Sequence, residues 1–177
     1  MNARRDATLQ EPPGVGFAWR VHATQDASIG RVDTKASIIL TLETAVLLAV
    51  VAAEAPDRLL GRLPGRFALV AYIGLVLLML AAVLAALAVI PWVGLERDAR
   101  REYVENAIYF GHLRHWDAHR LADYLRALDY GEQFEQLARQ IATLGRINWR
   151  KHRLLQASMA CAFLGAVVIG LAALLGL

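Results

Sequence analysis

Three long apolar runs constrain what this chain can fold into. They cover residues 36–53, 67–93 and 154–177; the first contains one charged residue, Glu43, and the other two contain none. As helices they reach roughly 27, 40 and 36 Å, whereas the hydrocarbon core of a bilayer is about 30 Å thick. Each run therefore predicts a transmembrane helix, the second with enough length for tilt. Buried helices of a soluble bundle are the alternative, but such helices seldom extend this far without a polar face.

The segments between the runs are charged and show helical patterns, which predicts an all-α integral membrane protein with cytoplasmic helical extensions. A flexible tail is expected at 1–16, a helix leading into the first span at 17–35, an outer loop at 54–66 and a cytoplasmic helical region at 94–153. Within that region, residues 103–128 are one helical candidate, followed by a turn near Gly131. No cleavable leader is expected, because the first apolar run begins too late in the chain.

Basic residues predict the orientation. The first 35 residues contain five Lys and Arg, the 54–66 connection three, and the 94–153 connection eleven. Because cytoplasmic loops are enriched in Lys and Arg close to the spans, we expect a cytoplasmic N-terminus and a C-terminus on the opposite side. The 94–153 connection also contains nine acidic residues. That balance is typical of a salt-bridged surface and argues against nucleic-acid binding.

A heptad-like stripe leads into the third span. Its apolar or interface positions recur at steps of three and four: Phe134, Leu137, Ile141, Leu144, Asn148, Lys151 and Leu155. This pattern predicts one helix with a continuous packing face. Asp33 and Lys151 each lie three residues before an apolar run, so we expect them at similar depth, with Asp33 paired to Lys151 or Arg150. Anchoring of the basic side chains at lipid headgroups is the alternative.

Glu43 is the one charged residue within a predicted span. An ionised carboxylate near the bilayer centre is costly, so such residues usually face a bundle interior or a water-filled path. The interpretations that remain open are a protonated carboxyl, a hydrogen bond to a neighbouring helix and a polar seam in an oligomer. The candidate structural or gating residues are Asp33, Lys35, Glu43 and Lys151.

Patterns typical of enzymes and metal sites are absent from the sequence. There is no nucleophile elbow, no phosphate-binding glycine loop and no H-E-x-x-H, so we expect a non-enzymatic protein without catalytic residues, metal or cofactor. His112, His115 and His119 have a spacing that can place them on one helix face, and an exposed polar face is the better interpretation. Small residues in the third run favour close helix packing and a homo-oligomer: Ala160, Ala162, Gly165, Ala166 and Gly170.

Three stretches of the sequence resemble the Pycsar transmembrane effector family. ASIGRVDTKASIILTLETAVLL at 27–48 resembles the D-x-K-A-S segment at the start of the family's first span. NAIYFGHL at 106–113 resembles the Tyr-Phe segment after the second span, and LARQIATLGRINWRKHRLLQASMACAFLG at 137–165 resembles the stretch leading into the last span. They occur in the expected order and cover about a third of the chain.

The resemblance implies a multi-pass protein of the bacterial inner membrane that acts in antiphage defence. In that family a partner uridylate or cytidylate cyclase makes cUMP or cCMP, and the effector responds by disrupting the lipid bilayer, which causes abortive infection. Two other functions remain open: a non-enzymatic membrane anchor or regulator of a cytosolic partner, and a small channel subunit.

A binding site for such a nucleotide would have to be helical, because no pattern for a β-roll is present. A cyclic phosphate carries one negative charge, which suits Arg or Lys, while a pyrimidine edge suits amide groups and a stacking ring. The candidates near the family-like stretches are Asn106, Tyr109, His112, Arg139, Asn148 and Arg150, with Trp116 or Trp149 for stacking.

Overall fold

The computed structural model describes residues 13–54, 60–91, 103–105 and 107–176. Helix α1 is Pro13–Ala53, α2 is Gly65–Val89, α3 is Phe110–Leu113, α4 is Ala118–Ala127 and α5 is Tyr130–Gly176. Short 3-10 turns occupy Leu60–Arg62 and Tyr103–Glu105. No strand occurs in the described ranges, and the all-α fold class is confirmed.

Three helices are long and apolar enough to cross a membrane: Gly14–Ala53, Gly65–Val89 and Tyr130–Gly176. They contain the first predicted run and most of the other two, so the prediction of a three-span membrane protein is confirmed. Helices α1 and α5 have 41 and 47 residues, or about 60 and 70 Å at 1.5 Å per residue, roughly twice a hydrocarbon core. Each contains a single apolar run, and apart from Glu43 the charged residues of each helix lie outside that run.

The helix ends differ from the expected boundaries at two prolines. Helix α1 begins at Pro13, inside the tail expected at 1–16, because proline fits the first turn of a helix without losing a hydrogen bond. Helix α2 ends at Val89, before the expected boundary at 93. Ile90 has an extended backbone with ψ of 129° and precedes Pro91, which disfavours the helical conformation of the residue before it. Residues 92 and 93 lie outside the described residues.

The prediction of a single helix over 103–128 is wrong. The described residues of this stretch form the 3-10 turn Tyr103–Glu105 and the separate helices α3 and α4. Asp117 has an extended backbone, and its carboxylate accepts hydrogen bonds from the backbone N–H groups of His119 and Arg120, which caps a new helix, α4. The turn expected near Gly131 occurs just before it. Asp129 and Glu132 exchange side-chain to backbone bonds of 2.8 and 3.2 Å, a capping box at the start of α5.

The chain forms two compact units. The head unit comprises Met1–Ile29 and Pro91–Asn148, and the membrane unit comprises Gly30–Ile90 and Trp149–Leu177. Helices α1 and α5 contribute residues to both units, α2 belongs to the membrane unit, and α3 and α4 belong to the head unit.

Small residues dominate the packing of α2 in the membrane unit. Its buried positions follow steps of three and four: Ala71, Gly74, Leu78, Ala81, Ala85 and Ala88. A Cβ atom added to Gly74 would lie 2.8 Å from the carbonyl oxygen of Gly165, and one added to Gly165 would lie 2.8 Å from the carbonyl oxygen of Gly74. The backbones of α2 and α5 therefore approach each other directly, which only glycine permits.

The stripe predicted on α5 is the packing face of that helix from Leu137 onward. Leu137, Lys151 and Leu155 are buried, whereas Phe134 at its start is 46% exposed. Helix α1 has a matching stripe that includes Val15, Ala18, Val32, Ala36 and Glu43. In the head unit Val15 and Ala18 cluster with Leu137, and in the membrane unit Val32 and Ala36 cluster with Leu155.

The exposed hydroxyl groups of α1 bond to their own helix. Each donates to the backbone carbonyl four residues earlier, at 2.7–3.0 Å: Thr24, Thr34, Ser37, Thr41 and Thr44. Four of these five residues lie within 34–44, at the start of the first span. In α5, Thr143 makes the same bond, whereas Ser158 turns its hydroxyl toward another helix.

Candidate functional site in the polar contacts of the first and last helices

Glu43 of α1 binds Ser158 of α5 inside the membrane unit. The Ser158 hydroxyl donates to Oε1 of Glu43 over 2.6 Å, and the two residues are 0% and 5% exposed. The second carboxylate oxygen, Oε2, is also buried and has no hydrogen-bond partner among the described residues. Of the interpretations open for Glu43, the structure contains the interhelical hydrogen bond. A buried polar group that is only half satisfied is costly, which marks this contact as a candidate site.

Asp33 of α1 and Lys151 of α5 form an ion pair in the same unit. The ammonium group of Lys151 donates to Oδ1 of Asp33. The Lys151 side chain is only 3% exposed, whereas that of Asp33 is 36% exposed. The structure therefore contains the pair that the depth comparison predicted, and Lys151 is packed between helices instead of extending to solvent. Lys35 is exposed on α1, and Arg150 is exposed on α5.

Asn148 joins the same two helices in the head unit. Its amide nitrogen donates to the side-chain oxygen of Gln25 at 3.2 Å and to the hydroxyl of Ser28 at 3.0 Å. Each unit thus contains polar contacts between α1 and α5. In a helix pair with heptad spacing, such polar positions fix the register at some cost in stability.

The other residues predicted to bind a ligand lie at separate places. Tyr109 and His112 come together at the start of α3, with ring centroids 5.2 Å apart in an edge-to-face arrangement. Arg139 forms an exposed ion pair with Glu135 at 3.3 Å on α5. Asn106 lies outside the described residues.

The two aromatic candidates for stacking have different surroundings. Trp116 donates its indole N–H to the carbonyl of Tyr103 at 3.0 Å and packs against the rings of Tyr103 and Tyr124. Its ring is therefore already used in the packing of the head unit. Trp149 is 69% exposed, which leaves its ring accessible.

Gln136 is a connecting residue of the head unit that the sequence analysis did not identify. It is 5% exposed, its carbonyl oxygen accepts from the backbone N–H of Ala107 at 3.0 Å, and its amide donates to the hydroxyl of Tyr124 at 2.6 Å. The residue therefore connects α4 and the segment before α3 to α5. Its one sequence signal is its position beside Leu137 of the stripe.

The three histidines with helical spacing do not share a helix. His112 lies in α3, His119 in α4, and His115 in the turn between them. Within the part of the chain that the structure describes, no group of three or more His, Cys, Asp or Glu residues could hold a metal ion.

An apolar groove of about 400 Å³ lies between α1 and α5 in the membrane unit. It is lined by Val46, Ala49, Val50, Ala53, Leu60, Leu78, Ala166, Ile169, Gly170 and Ala173. A nucleotide needs donors and a positive charge, and none of these side chains provides them. The groove therefore does not suit a nucleotide.

These features define an all-α, three-span membrane protein with a helical head unit and polar contacts between its first and last helices. The family model of the Pycsar effector protein domain matches residues 17–176, nearly the whole chain. The chain therefore belongs to the Pycsar effector family, a family of membrane-associated antiphage defence effectors that pair with a nucleotide cyclase. No curated protein and no solved structure gives a significant match.

Proposed function

We propose that this protein responds to cUMP or cCMP made by a partner cyclase and disrupts the bacterial inner membrane, which causes abortive infection. The observation that carries the proposal is the family match over residues 17–176, which includes parts of both units. Three helices able to span a membrane supply the part that acts on lipid. The proposed action is non-enzymatic, because binding and rearrangement of helices suffice for it.

The continuity of two helices supports a link between ligand binding and the membrane. Helix α1 supplies Val15 and Ala18 to the head unit and Glu43 to the membrane unit. Helix α5 supplies Leu137 to the head unit and Ser158 to the membrane unit. A ligand that changes how α1 and α5 pack in the head unit therefore acts on the same two helices that make the buried contacts of the membrane unit.

We place the nucleotide in the head unit. Arg139 is the proposed phosphate partner, because its ion pair with Glu135 is exposed and such pairs contribute little stability. Tyr109, His112 and Asn148 are the proposed partners of the base, since they offer rings and an amide. Asn106, by its position next to that segment in the sequence, completes the set in the head unit. Arg150 belongs to the membrane unit and stays a candidate on its position in the sequence alone.

We further propose a homo-oligomer with a cytoplasmic N-terminus and a periplasmic C-terminus. The orientation follows from the eleven basic residues of the 94–153 connection. We propose self-association because the three spans contain a single charged residue, so several chains together suit a polar path better than one chain does.

The direct test is expression of the protein in bacteria that carry or lack the partner cyclase, with a potential-sensitive dye as the readout. We expect depolarisation only when cUMP or cCMP is made, and none when a cyclase that makes cAMP replaces it. Isothermal titration of the purified protein with each nucleotide identifies the ligand, and Arg139→Gln should weaken binding without unfolding the protein.

Two results would contradict the proposal. Depolarisation independent of any nucleotide indicates a channel subunit. Nucleotide binding or partner recruitment without depolarisation indicates an anchor or regulator. Growth arrest and dye uptake, measured in the same cultures, separate membrane disruption from a general loss of viability.

A further inference from the structure

The buried hydrogen bond between Glu43 and Ser158 is not what a contact that serves packing alone requires. Both residues are buried, yet Oε2 of Glu43 has no hydrogen-bond partner among the described residues. Two apolar side chains of similar size generally stabilise a buried position at least as well as a polar pair that is incompletely satisfied. A carboxylate kept at this depth therefore points to a function that needs it.

Helix α2 offers the Glu43 carboxylate no side-chain hydrogen-bond donor from its buried face. Its buried face consists of Ala71, Gly74, Leu78, Ala81, Ala85 and Ala88, none of which has a polar side chain. Ser158 is thus the side chain that the structure shows bound to Glu43. The closest charged residues on the two helices toward their N-terminal ends are Lys35 and Arg153, which are exposed. Beyond them lie Asp33 and Lys151, which pair with each other.

Separation of α1 from α5 would uncover a specific set of groups. The buried faces of the two helices carry apolar side chains such as Ala36 and Leu155, together with Glu43 and Ser158. A water path along these faces would therefore have one carboxylate without a counter-charge within the span. Carboxylates that line a narrow path favour cations over anions.

We propose that Glu43 is the residue through which the opened membrane unit selects cations, and that its bond to Ser158 holds the unit closed. This inference rests on the proposed membrane-disrupting function and assigns the ion preference of that activity to one side chain. Asp33 and Lys151 contribute no net preference, because their charges are opposite and adjacent.

The test uses the full chain in vesicles of phosphatidylethanolamine and phosphatidylglycerol, with K⁺ and Cl⁻ fluxes measured separately. Ser158→Ala removes the donor of this bond. Loss of a hydrogen bond to a charged group typically shifts an equilibrium about tenfold or more, so we expect a K⁺ leak without nucleotide at least about tenfold above the wild-type level. Glu43→Gln keeps an acceptor for Ser158, so its vesicles should stay closed at rest. Thr44→Val is the matched control, because among the residues that the structure describes the Thr44 hydroxyl bonds to the carbonyl of Leu40 on its own helix and to no other helix.

Selectivity is read in the Glu43→Gln/Ser158→Ala double variant, which opens without nucleotide. We expect K⁺ and Cl⁻ to pass at similar rates in it, whereas Ser158→Ala alone prefers K⁺. An unchanged preference in the double variant would overturn the inference, and so would Ser158→Ala vesicles as tight as the wild type with the same helical circular dichroism. Ser158→Cys keeps the size with a weaker donor and should leak at an intermediate level, which guards against a folding defect in the alanine variant.

The same measurements distinguish failure of the proposed nucleotide response from failure of the role of Glu43. Wild-type vesicles that ignore both cUMP and cCMP, together with Ser158→Ala vesicles that leak K⁺, would refute the nucleotide response and support the role of Glu43. If wild-type vesicles open with nucleotide, and Glu43→Gln vesicles opened in the same way keep the preference for K⁺, the nucleotide response is supported and the role of Glu43 is refuted.

Discussion

The contacts inside the membrane unit differ in kind from the contacts inside the head unit. In the membrane unit the backbones meet at Gly74 and Gly165, and the buried ammonium of Lys151 has Asp33 as its partner. In the head unit the rings of Trp116 and Tyr124 are half-buried, and ion pairs such as Arg139–Glu135 lie at the surface. A substitution at a buried contact of the membrane unit has neither space nor water nearby to compensate for the lost contact. A substitution at an exposed contact of the head unit has both.

This difference suits the two tasks that we propose. Regions that rearrange on binding are drawn from the parts of a protein with the lowest local stability. The head unit can exchange surface ion pairs and ring contacts for contacts with a ligand at small cost. Under the proposed function, we expect the membrane unit to open only when its buried contacts break together. The following predictions test that contrast.

The largest effect is expected at the buried ion pair, and it should be asymmetric. Asp33→Ala leaves the ammonium of Lys151 buried without its partner, so we expect the free energy of unfolding to fall by about 3 kcal/mol. Lys151→Met leaves a carboxylate that is 36% exposed, so the loss should be only about 1 kcal/mol. Denaturant unfolding in detergent micelles measures both. Equal losses would show that Lys151 reaches water and that the membrane unit is more tolerant than we infer.

The contact between helix backbones comes next. An alanine Cβ at position 74 would lie 2.5 Å from a side-chain carbon of Ile169 and 2.8 Å from the carbonyl oxygen of Gly165. Gly74→Ala should therefore lower the free energy of unfolding by about 2 kcal/mol through overpacking. Gly170→Ala is the control, because nothing lies within 4 Å of its added Cβ. A Gly74→Ala variant as stable as this control would contradict the close approach.

In the head unit, the largest effect should come from the buried connecting residue Gln136. Gln136→Leu leaves the N–H of Ala107 and the hydroxyl of Tyr124 without this partner, which should cost about 1.5 kcal/mol. Gln136→Glu still accepts from the N–H of Ala107, and its second oxygen can accept from the Tyr124 hydroxyl where the glutamine amide donated to it, so this variant should lose less. Hydrogen exchange at the Ala107 amide provides a local readout, and we expect it to accelerate only in the leucine variant. Acceleration in both variants would mean that shape, and not hydrogen bonding, makes this connection.

Surface ion pairs of the head unit should matter least. The Arg126 and Asp123 side chains are 2.8 Å apart and 76% and 77% exposed. Arg126→Gln should change the free energy of unfolding by less than about 0.5 kcal/mol, because solvent and salt screen such pairs. Thermal melting at low and high salt checks this. A loss comparable to that of Asp33→Ala would remove the contrast between the units.

The sequence was sufficient to predict the three spans, because uninterrupted apolar length is a property of the chain itself. It also limited the partner of Asp33 to Lys151 or Arg150, because two helices that enter the membrane in the same direction put residues at equal distance from the apolar runs at equal depth. Only the structure identifies Lys151 as the partner. The partner of Glu43 was within reach as well. Continuing the α5 stripe by three residues beyond Leu155 gives Ser158.

The internal structure of the head unit could be predicted less well. The break before α4 depends on the Asp117 cap, and a single Asp in a charged stretch is equally compatible with an exposed helical position. Gln136 looks like any surface glutamine until the positions of Ala107 and Tyr124 are known. The Gln136 contacts join segments distant in sequence, which local patterns do not encode.

The hydroxyl groups along α1 give the two long helices unequal stiffness. A Ser or Thr side chain that bonds to the carbonyl four residues earlier competes with the backbone ladder and lets the helix bend. Helix α1 makes four such bonds within 34–44, whereas α5 makes one, through Thr143. We therefore expect α1 to bend more readily than α5 at residues 34–44, around Glu43. A force that bends both helices would then deform the start of the first span before the corresponding part of the last helix.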